Sequence, residues 1–126
     1  MVVKLSVAEI LMEARVDDPN VCRRVIRLTE GIENESGIHA ALLLYKAKAL
    51  RKLHLNEAAR DVLTRALRRK KDRSDDLLHA LRYESALVYE AVGQHKRARS
   101  ELEKLYAEAP DYEDVAARLG LGCKNF

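Results

Sequence analysis

Residues 86–110 read ALVYEAVGQHKRARSELEKLYAEAP, and a related stretch, AKALRKLHLNEAARDVLTRALRRKK, lies 39 residues earlier at 47–71. In both stretches apolar residues recur every three or four positions, which places them on one face of a helix. Gly93 in the later stretch and His54 in the earlier one separate two such helical runs. The sequence therefore predicts two helical hairpins of the same kind, one after the other.

Alanine recurs at two of the matched positions of the two hairpins. Ala59 matches Ala98, and Ala47 matches Ala86, at the same offset of 39 residues. Helices approach closely only where small side chains lie at their contact, so we expect these alanines between packed helices. The other matched pairs are Leu50 with Tyr89, Leu63 with Leu102 and Ala66 with Leu105.

The composition favours helices along the whole chain. Of its 126 residues 48% are apolar and 34% charged, with 5 Gly and 2 Pro, which excludes disordered and collagen-like proteins. Asp18 and Ser74 are residue types that cap helix starts. We predict one all-α domain over residues 1–126. Its helix pairs are expected at about 6–32, 38–70 and 75–109, with a capping helix at about 112–119.

The repeated pattern resembles the tetratricopeptide repeat (TPR), a helix-turn-helix unit of about 34 residues. The later copy carries the signature in Ala86, Tyr89, Gly93, Ala98, Leu102 and Pro110. The middle copy has His54 in place of the glycine and lacks the closing proline, and the first copy is the most degenerate. The resemblance implies a right-handed α-α superhelix of about three TPR-like hairpins plus a C-terminal capping helix.

The sequence contains no motif of catalysis or metal binding. The 4 histidines are scattered, without H-E-x-x-H or paired Cys/His spacing, and no phosphate-binding loop of the G-x-x-x-x-G-K-[ST] type occurs. Acidic pairs such as Asp75 and Asp76 lie at predicted helix starts, where capping explains them. We therefore expect no catalytic residues, no metal ligands and no cofactor, and a protein that is not an enzyme.

Cysteine content and hydropathy indicate the cellular compartment in which the protein is expected. Cys22 and Cys123 are the only cysteines and cannot form the disulfide framework of a small secreted domain. No apolar run approaches the roughly 18 residues of a membrane span. We expect a cytoplasmic protein with no membrane partner, although a domain cut from a longer chain would have the same features.

The resemblance also implies a binding surface, because first helices of TPR hairpins line a concave groove. Transferred to this chain, that surface consists of Tyr45, Lys48, Arg51, Lys52, Tyr83, Glu84 and Leu87. The tyrosines are suited to anchor a peptide, and the three cations favour an acidic segment. The function expected from this surface is that of a protein interaction or scaffold module that binds an acidic or extended peptide. The alternative is that these residues have only a structural role: the lysines form a solvated helix face and the tyrosines fill the core.

A second basic cluster follows the groove residues in the sequence. Residues 46–73 contain 11 basic and 3 acidic residues, whereas both flanking parts of the chain are weakly acidic. The cluster consists of Arg65, Arg68, Arg69, Lys70, Lys71 and Arg73. One or two cations suit a helix C-terminus, but six exceed that need. An anionic partner is the predicted explanation: nucleic acid in one alternative, and in another the acidic ends of a second copy in a homo-oligomer.

Overall fold

The computed structural model describes residues 2–15 and 17–121, and in these residues the chain forms seven helices and no strand. The helices are α1 (Val2–Arg15), α2 (Pro19–Leu28), α3 (Gly37–Lys52), α4 (Asn56–Leu67), α5 (Asp75–Ala91), α6 (His95–Glu108) and α7 (Val115–Arg118). The all-α prediction is confirmed. Within the same residues, none of the helices combines the length and the apolar character needed to cross a bilayer.

Side-chain caps define the starts of three helices. Asp18 Oδ1 accepts a hydrogen bond of 2.8 Å from the backbone N–H of Asn20, and Pro19 occupies the first turn of α2. Ser74 Oγ accepts one of 3.1 Å from Leu77 at the start of α5. Each bond satisfies a backbone donor that has no partner within the helix. The predicted caps Asp18 and Ser74 are therefore confirmed, and Ser36 caps α3 in the same way.

The first hairpin departs from its predicted bounds. Helix α1 begins at Val2 instead of residue 6, because Leu5 already packs against the core and extends the helical face toward the N-terminus. Helix α2 ends at Leu28 instead of reaching Ile32. The buried hydroxyl of Thr29 donates to the carbonyl of Val25 at 2.9 Å, and the backbone then turns through a positive φ of 72° at Gly31.

Helix α4 and the capping helix are also shorter than predicted, whereas α5 and α6 match the predicted pair at about 75–109. Helix α4 ends at Leu67 rather than residue 70, and Asp72 takes a positive φ of 60° in the connection to α5. The capping helix expected over residues 112–119 is confined to α7, four residues long. Glu113, with a φ of 41°, interrupts the helical backbone just before it, so Tyr112 lies in a turn.

The packing of the helices follows their order in the chain. Each helix from α1 to α7 contacts the next one, and α3 in addition contacts both α1 and α5. The main core surrounds α3 and contains the fully buried Leu42, Leu63 and Leu81. A smaller cluster joins α5, α6 and α7 through Leu102, Leu105 and Val115 and their neighbours.

The turns after α3 and α5 have the same local structure. His54 and Gly93 both have a left-handed backbone, with φ of 63° and 82°. The next N–H donates five residues back in each turn, from Leu55 to Leu50 and from Gln94 to Tyr89, at 2.8 Å. Ala59 and Ala98 follow at matched positions, 0% and 1% exposed. The 39-residue offset thus relates equivalent places in two hairpins.

The left-handed turn leads to a stability prediction. His54 is exposed and carries a side chain at a φ that favours glycine, so His54→Gly should raise the free energy of unfolding by about 0.5–1 kcal/mol. Gly93→Ala should lower it by about 1 kcal/mol through backbone strain alone, because a Cβ there meets no atom within 4 Å. Urea unfolding measures both. A His54→Gly variant less stable than the parent would contradict the equivalence of the two turns.

Candidate functional site

Two adjoining pockets form a groove between α3 and α5. The first, of about 250 Å³, is lined by Lys48, Arg51 and Lys52 of α3, by Tyr83, Glu84 and Leu87 of α5, and by Tyr112 and Glu113. The second, of about 470 Å³, shares Arg51, Lys52 and Leu87 and extends to Asn56, Glu90 and Arg118. Because the shared residues lie between the two pockets, these form one continuous concave surface, called the groove below.

The floor of the groove contains a buried ion pair. Arg51 Nε donates to Glu84 Oε2, and this contact joins α3 to α5. The Glu84 side chain is only 2% exposed, whereas that of Arg51 is 24% exposed. A carboxylate this deeply buried needs a partner, so Arg51 is committed to Glu84. The sequence predicted Arg51 as a ligand contact, but the structure places it in the framework of the site.

The α3 wall of the groove keeps two accessible cations. Lys52 Nζ lies 3.2 Å from Asp17 Oδ1, but the Asp17 side chain is 84% exposed, so water weakens this pair. Lys48 Nζ lies 5.4 Å from the ring centre of Tyr45. In the described part of the chain Lys48 forms no ion pair. Lys48 and Lys52 are therefore the cations that this wall offers to a ligand.

The opposite wall is acidic and is completed by the C-terminal segment. Arg118 donates to Asp114 through Nε and to Glu90 through Nη1, each at 3.0 Å. Tyr83 also donates to Asp114, and this hydrogen bond, with the nearby Arg118 cation, lowers the pKa of the Asp114 carboxyl. The wall therefore depends on the attachment of residues 112–118 to α5.

The aromatic side chains of this wall pack on one another. The rings of Tyr83 and Tyr112 meet edge to face, with centroids 5.6 Å apart, and His79 meets Tyr112 in the same manner at 6.1 Å. Burial raises the pKa of both tyrosine hydroxyls, which remain neutral hydrogen-bonding groups at physiological pH. The two tyrosines thus form a rigid, partly apolar side of the groove.

The structure brings together six of the seven residues predicted for the groove. Lys48, Arg51, Lys52, Tyr83, Glu84 and Leu87 all line the first pocket, and Tyr45 does not. Tyr45 is half-buried and packs against the core, where burial first, and then Glu9 and Glu13, raise the pKa of its hydroxyl. Tyr45 therefore lies beside Lys48 but outside the two pockets that form the groove.

Sequence reasoning missed the contribution of the C-terminal segment to the groove. Tyr112, Glu113 and Arg118 line it, yet the sequence predicted only a regular capping helix over about 112–119. The usable signal was the group of Pro110, Asp111 and Asp114, which surrounds Tyr112 in the sequence. Such a cluster of turn-favouring residues indicates a break in the helix.

The second basic cluster lies at the end of α4 and in the connection to α5. Arg65, Arg68 and Arg69 line a pocket of about 340 Å³ beside Ile32 and Leu43. Arg65 and Arg68 also line a neighbouring pocket of about 330 Å³ with Asp61 and Thr64. Lys70 and Lys71 are exposed next to these pockets, and Arg73 is half-buried.

His39, His95 and Cys22 line none of the pockets of the two surfaces, whereas His54 lines the second pocket of the groove and His79 packs against Tyr112. Cys22 is buried in the core, and burial raises the pKa of its thiol. Cys123 lies outside the described residues. Over 2–15 and 17–121 no three His, Cys, Asp or Glu side chains are grouped so that they could hold a metal ion.

Comparisons with protein-family models, with curated proteins and with solved structures give no significant match to this chain. The resemblance to the TPR therefore rests on the repeated residues themselves.

Proposed function

We propose that this protein is a non-catalytic interaction module whose helices form a right-handed, TPR-like superhelix. Two observations support this arrangement. The turns after α3 and α5 are equivalent, and their buried alanines recur at the same offset of 39 residues. The first helices of the three hairpins also lie side by side, since α3 contacts both α1 and α5. Stacking of this kind leaves a concave surface along the first helices.

We propose further that the groove binds an extended peptide of a partner protein. The observation that carries this function is a continuous concave surface with Lys48 and Lys52 on one wall, and Glu113 and the Glu90–Arg118 ion pair on the other. Leu87 and the tyrosines lie between the walls and offer apolar contact. A peptide with acidic side chains toward Lys48 and Lys52 would complement both the charge and the shape of this surface.

Selection from a displayed library of random peptides against the full chain tests this function. We expect enrichment of acidic peptides. A selected synthetic peptide should bind about tenfold more weakly to a Lys48→Gln/Lys52→Gln variant, because two charge-assisted contacts are lost. Arg51 is left unchanged, because its replacement would leave the buried Glu84 carboxylate without an ion-pair partner.

The matched control is a Lys96→Gln/Arg99→Gln variant, which loses the same charge from exposed positions on α6. Its affinity should equal that of the parent. Backbone amide shifts in a two-dimensional NMR titration should move at Leu87 and Tyr83 and remain constant at Lys96. Equal affinity for both variants, or shifts confined to residues outside the groove, would exclude the groove as the peptide site.

A further inference from the structure

The basic cluster at the end of α4 has no role in the groove and contains more charge than its helix end requires. Within nine residues it has six cations and one acidic residue, Asp72. Cations near a helix C-terminus contribute about 0.3–1 kcal/mol each, and only within the last turn. Lys70 and Lys71 lie beyond that turn and are exposed. A structural role at the helix end therefore does not explain the whole cluster.

Asn34 accepts hydrogen bonds from two of the six cations of the cluster. Its Nδ2 donates to the carbonyls of Arg65 and Ala66, each at 3.0 Å, and so satisfies acceptors at the end of α4. Arg73 Nη2 donates to Asn34 Oδ1 at 2.8 Å, and Arg69 Nη1 donates to the Asn34 carbonyl at 3.1 Å. Arg69 and Arg73 thus attach the cluster to the loop between α2 and α3. Their positions are set by the fold.

The remaining four cations are available to a ligand. Arg65, Arg68, Lys70 and Lys71 are exposed, and within residues 2–15 and 17–121 none of them forms an ion pair. Arg65 and Arg68 stand between the two pockets of about 340 and 330 Å³. Glu33 and Asp61 line the outer sides of these pockets, one in each. The four cations outnumber these two carboxylates and lie within one short segment of the chain, residues 65–71.

We propose that Arg65, Arg68, Lys70 and Lys71 form a second binding site, which takes the phosphate backbone of a duplex nucleic acid without reading its bases. Closely spaced cations without bound counter-charges gain affinity by releasing the ions condensed on a polyphosphate. No aromatic side chain lines either pocket, so the site lacks the stacking surface that single strands use. A duplex backbone, in contrast, can be bound through positive charge without any stacking surface.

An acidic peptide fits this surface less well. Protein interfaces obtain most of their energy from buried aromatic or apolar anchors, and Ile32 and Leu43 are too deeply buried to supply one, at 9% and 2% exposed. A bound peptide main chain also needs hydrogen-bond partners. The side-chain amide nearest to the site, that of Asn34, already has both its nitrogen and its oxygen occupied.

Fluorescence anisotropy with labelled duplex RNA and duplex DNA of unrelated sequences tests the proposal. We expect binding that differs little between sequences and weakens steeply between about 50 and 200 mM salt. In a variant with Arg65, Arg68, Lys70 and Lys71 all changed to Gln, affinity at low salt should fall more than tenfold. The slope of log affinity against log salt should become shallower by about 0.9 for each lost phosphate contact.

The matched control changes four exposed cations elsewhere, Arg24, Arg27, Lys96 and Arg99, to Gln, so that both variants have the same net charge. It should keep at least half of the parent affinity. Equal losses in the two variants would show only a general charge effect and would overturn the proposal. Tighter binding of a single strand, or of poly-glutamate in competition with the duplex, would overturn it as well. The Lys48→Gln/Lys52→Gln variant should leave duplex binding unchanged, so this result is separate from that of the peptide experiment.

Discussion

Replacement of Arg51 by Met should lower the free energy of unfolding by about 3 kcal/mol, the low end of the range for breaking a buried ion pair. The variant leaves the Glu84 carboxylate, 2% exposed, without its partner on α3. The folded protein shields this carboxylate almost completely from water, so hydration compensates little for the loss. Urea unfolding followed by circular dichroism measures the change.

A double-mutant cycle separates the ion pair from simple loss of side-chain contacts. When Glu84 is also changed to Met, we expect most of the lost stability to return, because two apolar side chains of similar length can pack where the pair was. Lys52→Met is the matched single control, since Lys52 is the next residue and pairs with the exposed Asp17. Its cost should be about 0–1 kcal/mol. Equal costs for Arg51→Met and Lys52→Met would show that the pair does not hold α3 to α5.

Replacement of Ala59 by Leu should also cost about 3 kcal/mol, at the upper end of the range for overpacking. Ala59 is 0% exposed and lies on α4, which packs against both α3 and α5. The added methyl and methylene groups would force the helices apart, because packed interiors contain no space for them. The melting temperature and the urea midpoint should both fall.

The neighbouring Ala58 offers a control that differs only in the direction of its side chain. It is exposed on the same helix, so Ala58→Leu should change stability by less than about 0.5 kcal/mol. Ala98→Leu, at the equivalent place on α6, should reproduce the loss found at Ala59. A tolerated leucine at Ala59 or Ala98 would mean that the repeated alanines do not mark close helix contacts.

Much of the fold could be predicted from local pattern. The apolar spacing indicated helices, the caps at Asp18 and Ser74 are where their residue types place them, and the alanines at the repeated positions are buried. Helix ends were less predictable. Helix α4 ends before residue 70 although its basic residues are good helix formers, because Asn34 satisfies its last carbonyls from another part of the chain.

The candidate site was predictable only in part. Helical spacing and the TPR resemblance selected six residues that line one pocket, but they did not distinguish Arg51 from Lys48. That distinction depends on Glu84, which lies 33 residues later in the chain and buries its carboxylate against Arg51. The segment of Tyr112 and Arg118 was missed for the same reason, since its contacts with α5 span about thirty residues.

By itself the sequence determined the helical class, two helix caps and the 39-residue repeat, because these depend on side chains that are near one another in the chain. Only the tertiary structure decided which cations are available. Arg51 is engaged by Glu84, and Arg69 and Arg73 by Asn34, whereas Lys48, Arg65 and Arg68 remain accessible. A charged side chain is either paired within the protein or available to a partner, depending on which groups folding brings close to it. Residue spacing in the sequence does not identify those groups.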